Sequence, residues 1–440
     1  MFFIAKSNKL NSHQKFVSFL FVLMPILLIT GPFLSDLALS IVAIYYFFNT
    51  KKIKFPNKNK FSFLFFLFYF AVLLNSFNFD YYLSSLKSFF FYFRFFLFIL
   101  VIVYMIELEE KIIDDFLKII LLSITIVCFF GFYQYAEIRL DYFERISKVE
   151  RLDELIRVKN TTQQRVSGIF GNELIMGSYL MKIFPLFLIT FFFRKKEDIL
   201  SKSNYVYLFL ITILIAISIV ITSDRAPILL FCFQIFLFFL LIKKLRKFFF
   251  ILGTIVFFSF CTIILIDPIS KERVVNVTVN NIKGEYSGGN ITVISEAYEG
   301  HFNAAKIIFK KYPILGSGIK GFRNQCYNLN KENYKEKIWC TTHPHNIFFQ
   351  IISETGILGL FMYLILFYYV LNQIYQKIKK QIKFEKENIL ITNLICLINF
   401  VVILWPLTTS GSMFNNYNTI FFCLPVILYL ASNNKIISKD

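Results

Sequence analysis

The sequence predicts an all-α, polytopic transmembrane helical bundle of about twelve spans, with one large periplasmic loop containing short helices. Three observations carry that reading. Of 440 residues, 57% are hydrophobic and 19% aromatic. The mean hydropathy is +0.61. The apolar residues fall in blocks of about twenty, the length a helix needs to cross a hydrocarbon core, rather than in the alternation of strands. A soluble chain of this size would form two or three domains and would need more polar residues than these blocks leave to cover them.

Taken in order, the spans are read at 16–31, 33–49, 61–77, 88–106, 114–135, 173–193, 205–222, 226–242, 248–266, 354–375, 388–406 and 415–432. No small-residue cleavage site follows the first block, so it is expected to stay as an anchor. An even number of spans puts both termini on one side, and the basic clusters decide which side that is. Lys51, Lys52, Lys54, Lys58 and Lys60 follow the second span, and Arg194, Lys195 and Lys196 follow the sixth. Lys243, Lys244, Arg246 and Lys247 follow the eighth, and Lys377, Lys379, Lys380, Lys383 and Lys386 the tenth. All lie on the side of the N-terminus, which makes that side cytoplasmic and the chain a protein of a bacterial inner membrane. Glu107, Glu109 and Glu110 form an acidic exception that four basic loops outweigh. The formal charge of +19 therefore belongs to loops that set orientation in a lipid bilayer, and a nucleic-acid partner is not expected.

The polar material falls on the other face. The expected organisation is N-terminal spans over 1–135, a periplasmic loop over 136–172, central spans over 173–266, a large periplasmic loop over 267–353 and C-terminal spans over 354–440. Inside the large loop, Ala297, Phe302, Ala305, Ile308 and Phe309 have helical spacing and predict a helix along the membrane interface. PILGSGIKGF, with glycines at 316, 318 and 321, reads as a tight turn.

The stretch CTTHPHNIFFQIISETGILG holds two of the four histidines at the start of an apolar run. Thr342 is placed to cap a helix whose first turn holds His343, Pro344 and His345, because proline is tolerated there. A helix N-terminus disfavours the imidazolium, so His345 is a candidate general base, with a hydrogen-bonded structural pair as the alternative. Cys326 and Cys340 are the cysteines outside the apolar blocks. A disulfide pinning the loop ahead of the histidines is one reading, and a site in which these sulfurs join His343 and His345 on a metal is the other. The outer loops hold no Asp-x-Asp pair, so no divalent-metal site for a sugar nucleotide is expected. Arg165 precedes a span and Arg225 stands in a three-residue link, both near the outer face. Partly desolvated guanidinium groups at that depth suit phosphate oxygens, and snorkelling to lipid headgroups is the alternative. Arg94 and Lys182 lie within spans, where charge defaults to a functional hypothesis, and Glu354 stands in a supporting position. Gly356 and Gly359 form a small-residue contact that lets helices approach.

These residues resemble the O-antigen ligase and polymerase superfamily. The pattern is a His-Asn pair, nine residues, then Gly-x-x-Gly, carried by His345, Asn346, Gly356 and Gly359. Arg165 with Gly168 and Phe170, Arg225 in a Ser-x-Arg link, and Pro313-x-x-Gly316-x-Gly318 follow in order, as do the Phe-Arg-x-x-Cys at 322–326 and Cys340. The resemblance covers roughly residues 160–375. Leu360 departs from the ligase branch, which often has a small or aromatic residue there. The resemblance implies an inverting membrane glycosyltransferase without metal, cofactor or nucleotide sugar. Its donor would be an undecaprenyl-diphosphate-linked glycan, and its acceptor the lipid A core in ligases or another lipid-linked glycan in polymerases. His345 would take the acceptor proton, and Arg165 and Arg225 would hold the leaving pyrophosphate. Protein O-glycosylation is a third acceptor reading. A transporter is the competing class, but it predicts charges and broken helices at mid-membrane and related halves, whereas the polar features here cluster at the outer face in one large loop and no repeat is seen.

Overall fold

The computed structural model describes residues 2–53, 82–148, 165–194, 202–283, 296–331, 338–380 and 387–437, together with positions 63, 66, 67, 69, 70, 73 and 74. Among them the chain is helical, with no strand. The helices that frame the fold are α1 (Ser12–Leu27), α2 (Pro32–Phe48), α3 (Tyr82–Leu108), α4 (Ile112–Ser147), α5 (Met176–Arg194), α6 (Lys202–Ile221), α7 (Arg225–Leu241) and α8 (Arg246–Ile266). Then come α9 (Glu296–Lys311), α10 (Gly321–Lys331), α11 (Ile347–Lys380), α12 (Glu387–Ile403) and α13 (Asn416–Ile437).

Helices stand at eleven of the twelve expected span positions; the third, 61–77, lies mostly outside the described residues. Among the described residues six helices are long and apolar enough to cross a membrane: Leu86–Leu108, Ile112–Ser147, Met176–Phe193, Asn204–Ile221, Lys243–Ile266 and Ile347–Lys379. Ser12–Leu27, Pro32–Phe48, Arg225–Leu241 and Asn388–Ile403 are apolar but shorter. The chain is a multi-pass membrane protein by this measure. Exposed Phe48, Leu265, Ile266 and Tyr368 fit a surface that faces acyl chains rather than water. Prolines 25, 185 and 425 sit inside helices, which membrane helices tolerate because neighbours satisfy the freed backbone groups.

The chain divides into two units. The first comprises Met1–Met24, Gly31–Asp115 and Ile294–Asp440. In it α2 packs on α3, α3 on α13, α13 on α12 and α12 on α11, while α9 and α10 pack on α11 and on each other. The second comprises Pro25–Thr30 and Phe116–Val293, where α5 to α8 pack together.

Three elements differ from the sequence reading. Helix α4 runs on to Ser147, past the predicted span end at 135, with Arg145 and Lys148 paired to Asp141 and Glu144 one turn earlier. Helix α9 forms as its spacing predicts, but its apolar face does not lie on the interface. Ala304, Ala305 and Ile308 are buried with Phe322, Cys326 and Leu329 of α10, and Phe302 stacks on Phe349 with ring centroids 4.5 Å apart.

The third difference concerns the glycines. Gly356 does not serve a helix–helix approach; it breaks α11, with φ 63° and ψ −161°. The turn 313–318 fills the break. Ser317 N donates to Ser353 O at 2.8 Å and Gly318 N to Glu354 O at 2.9 Å. In return, Ile357 N donates to Pro313 O at 2.9 Å and Leu358 N to Ile314 O at 3.3 Å. Backbone groups freed by the kink thus find partners at a depth where an unpaired one costs several kcal/mol. A Cβ on Gly316 would lie 2.3 Å from Thr355 N, and one on Gly356 would lie 2.4 Å from Ile314 O. The two glycines let two backbones touch. Leu360, the departure from the ligase pattern, packs on the cluster of Ile347, Ile351, Tyr363 and Leu404.

Candidate functional site

The histidine stretch folds as a loop, not as the first turn of a helix. Helix α11 begins at Ile347, and its cap is Asn346, whose Oδ1 accepts from Phe349 N at 3.1 Å. Thr342, expected to be the cap, instead contacts His343 Nδ1 through its hydroxyl at 2.9 Å. The cap moves because Asn346 also anchors a second segment: its Nδ2 donates to Pro406 O at 2.7 Å and Thr408 O at 3.1 Å. Ser410 N then donates to His345 O at 2.8 Å. Held between α11 and residues 406–410, His345 adopts φ 54°. A non-glycine residue in that region costs about 1–2 kcal/mol and persists only where its surroundings over-determine it. Among the described residues, His345, Ser223 and Lys320 are the non-glycine residues with positive φ.

Three of the four histidines meet in this first unit. The His343 and His345 rings are 4.2 Å apart by centroid, and His301 of α9 lies 5.2 Å from His345. Tyr298 borders both His345 and His301, at 5.6 and 6.2 Å. His301 is buried, and its Nδ1 lies 2.7 Å from Trp339 O. Burial, then the neighbouring His345, pulls His343 down to about 4. Burial, then His301, also lowers His345. Both rings are therefore neutral at neutral pH, and a neutral imidazole beside water can accept a proton. The cause is burial and crowding, not the helix dipole anticipated from sequence.

Cys326 and Cys340 are joined in a disulfide, Cα–Cα 5.6 Å, so their sulfurs are not metal ligands. Among the described residues no His, Cys, Asp and Glu group is arranged to hold a metal. The bridge fixes Trp339, whose carbonyl receives His301. Gly300 makes room for the indole: a Cβ there would lie 2.5 Å from the ring.

Glu354 is buried and faces a different task. It accepts from Gln350 Nε2 at 3.1 Å and from Phe322 N at 3.4 Å, tying α10 to α11. Gln350 continues to Ser412 Oγ at 2.8 Å and Met413 N at 2.9 Å. Arg94 is held inside the same unit by Asp36 at 2.6 Å and Ser40 at 3.2 Å.

The arginines gather in the second unit. Arg165 pairs with Asp224 at 3.2 Å. Arg225, expected to be partly desolvated, is exposed and donates to Thr278 Oγ1 at 3.0 Å. Arg273 joins them. It sits on a π-helical turn, Glu272–Asn276, of the kind that often marks functional sites. Burial, then Arg165, pulls it down to about 10, with Asp224 opposing and Arg225 adding. Burial raises Asp224, against the pull of Arg165, Arg273 and Arg225. Arg165 thus pairs with Asp224 while Arg225 and Arg273 add positive charge nearby, an excess that suits a multiply charged anion.

This cluster is built from named supports. Gln134 Oε1 accepts from Ser167 N at 2.8 Å and Gly168 N at 2.6 Å, which fixes the loop carrying Arg165. Arg139 forms a buried ion pair with Asp267 and donates to Ser270 Oγ at 3.2 Å. Ser270 Oγ in turn lies 2.6 Å from Ser223 Oγ, so the link to Arg225 and the turn to Arg273 share one anchor. Lys182 lies inside α5, in the same unit.

Residues 210–364 match the family model described as O-antigen ligase. That segment is similar to the O-antigen ligase family. The matched segment contains Arg225, Arg273, His301, His345, Glu354, Gly356 and Gly359, while Arg165 and Lys182 precede it. A protein of Rickettsia typhi described as a candidate polysaccharide ligase is 32% identical over 176 residues, 38% of each chain. One of Rickettsia felis with the same description is 29% identical over 168 residues, again 38% of each. The chain spans about two fifths of the length of these curated relatives. The sequence reading of the matched segment did not single out Arg273 and His301. His301 stood in the predicted helix 296–312, unmarked because its partners are far away in sequence. Nothing in the sequence foretells the π-turn that presents Arg273.

Proposed function

We propose that this chain is an inverting membrane glycosyltransferase of the O-antigen ligase type. It would move a glycan from undecaprenyl diphosphate to the lipid A core on the periplasmic face of the inner membrane. The observation that carries the reading is His345: a neutral imidazole, held at positive φ in a cluster of histidines, within the segment that matches the O-antigen ligase model. Strain retained at a titratable residue is a mark of function rather than of packing.

In this reading the acceptor hydroxyl gives its proton to His345 as its oxygen attacks the anomeric carbon. The C–O bond to the diphosphate breaks, and the electron pair leaves with the pyrophosphate. The resemblance assigns pyrophosphate binding to Arg165 and Arg225, and within the second unit Arg273 joins them, with Asp224 paired to Arg165. Losing one such electrostatic contact typically costs about 2.7–4 kcal/mol of barrier. His343 shapes the turn and packs on His345. Glu354 acts on the fold, since its partners are Gln350 and the backbone of α10. Lys182 has no assigned step.

The test is His345→Ala in cells. Surface polysaccharide should vanish while the protein still inserts at normal level, and full glycan display from that variant would overturn the base assignment.

A further inference from the structure

We propose that Ser270 is a positioning residue of the anion cluster: its hydroxyl fixes Arg225 beside Arg273, so that the two guanidinium groups meet a diphosphate together. The inference rests on the reading of these arginines as the pyrophosphate binders. Three consecutive segments, Pro268–Lys271, Glu272–Asn276 and Val277–Lys283, form one helical run that carries Ser270, Arg273 and Thr278 in that order. Arg225 is tied to this run at both ends. At its tip, the guanidinium donates to Thr278 Oγ1 at 3.0 Å, and that hydroxyl donates onward to Val274 O at 2.6 Å. At its root, Ser223 Oγ lies 2.6 Å from Ser270 Oγ. Arg273 stands on the run between the two ties.

The proton count gives the root contact its direction. Ser270 Oγ lies 2.6 Å from Asp267 Oδ2, and a carboxylate only accepts, so the one Ser270 proton goes there. The lone pairs of Ser270 then receive Arg139 Nη2 at 3.2 Å and the hydroxyl of Ser223. Asp267 is itself fixed: Oδ1 accepts from Ile269 N at 3.1 Å, which caps the run, and Oδ2 accepts from Arg139 Nε at 3.0 Å. Ser223, Asp267, Ser270 and Arg139 are all buried, so these bonds are made out of reach of water. Ser223 has φ 55°, where glycine would be unstrained. Glycine has no hydroxyl, and the bond to Ser270 is what a serine adds at that turn. Arg225 and Arg273 repel each other, and Arg225 helps to pull Arg273 down. Ties that hold two like charges near one another serve an anion rather than the fold.

The experiment uses the purified full-length chain, with calorimetric titration of inorganic pyrophosphate and steady-state transfer from an undecaprenyl-diphosphate-linked glycan to lipid A core. Ser270→Ala keeps the Arg139–Asp267 pair and cuts the tie to Ser223. It should weaken pyrophosphate binding about tenfold, the size one buried hydrogen bond carries, and raise donor KM to the same degree at unchanged acceptor KM. Ser223→Gly keeps the turn without strain but removes the donor, and should match it. On top of Arg225→Ala, Ser270→Ala should add little, because it acts through that arginine. Unchanged pyrophosphate affinity and donor KM in Ser270→Ala would overturn the proposal. So would a loss that persists in full in the Arg225→Ala background, or one that raises both KM values together with a lowered melting temperature, since either marks a structural role. Arg225→Ala separates the two levels. Wild-type pyrophosphate binding in that variant removes the reading of the arginine, whereas binding lost there but kept in Ser270→Ala removes the positioning role alone.

Discussion

At the scale of single residues, the histidine loop holds one of its side chains in a costly conformation. His345 carries a side chain at φ 54°, a region where glycine is unstrained. His345→Gly should therefore be more stable than His345→Ala, by about 1 kcal/mol, with both inactive. Thermal unfolding in detergent checks this, and equal midpoints would mean that the loop does not strain its histidine. The pH profile follows from the same burial. A base works unprotonated, and His345 is lowered by burial and then by His301. Transfer should stay level from neutral into mildly acid pH and fall only below the ordinary imidazole range, as His345 takes up its proton. A fall centred at the ordinary imidazole value would contradict the buried environment. The residue type and the His-Asn spacing were legible in the sequence. The conformation was not, because the cap that sets it depends on carbonyls at 406 and 408, some sixty positions away.

At the scale of elements, hydropathy located helices well because an apolar run of the right length has few alternatives in lipid. It failed where tertiary partners decide. The break in α11 is such a place: ETGILG reads as continuous helix, and only the turn at 313–318 supplies the hydrogen bonds that make a kink affordable. Gly316 and Gly356 sit backbone against backbone, whereas a Cβ on Gly359 would meet first the side chain of Thr355. Gly316→Ala and Gly356→Ala should each destabilise by more than about 2 kcal/mol, and Gly359→Ala by less, since a side chain yields where a backbone does not. Melting temperatures of the three variants decide it, and the opposite order would refute the interlock. The disulfide was one of two readings of the loop cysteines, and its role is measurable as well. Bridging residues 14 apart should contribute about 3 kcal/mol, and Cys340→Ser should lower transfer by freeing Trp339 from its place beside His301. Transfer that survives the replacement undiminished would show that Trp339 keeps its place without the bridge.

At the scale of the whole molecule, the chemistry is set by a few groups, while the choice of acceptor depends on surfaces that no motif marks. A histidine base and arginines for a diphosphate serve equally whether the attacking hydroxyl belongs to the lipid A core or to another lipid-linked glycan. The matched segment, 210–364, holds most of those groups and less than half of the chain. The all-helical membrane class was therefore legible in sequence, and the branch was not. Deleting the gene distinguishes the branches because each leaves a different intermediate stranded. A ligase acts last, so its loss should leave long glycans on undecaprenyl diphosphate and bare lipid A core beside them. A polymerase acts one step earlier, and its loss should leave single repeats that are still transferred to the core. Extraction of the lipid-linked pool and electrophoresis of the lipopolysaccharide read the two outcomes together. We expect long unattached chains, restored to the core by the wild-type gene and not by His345→Ala; core decorated with single repeats would assign the chain to polymerisation.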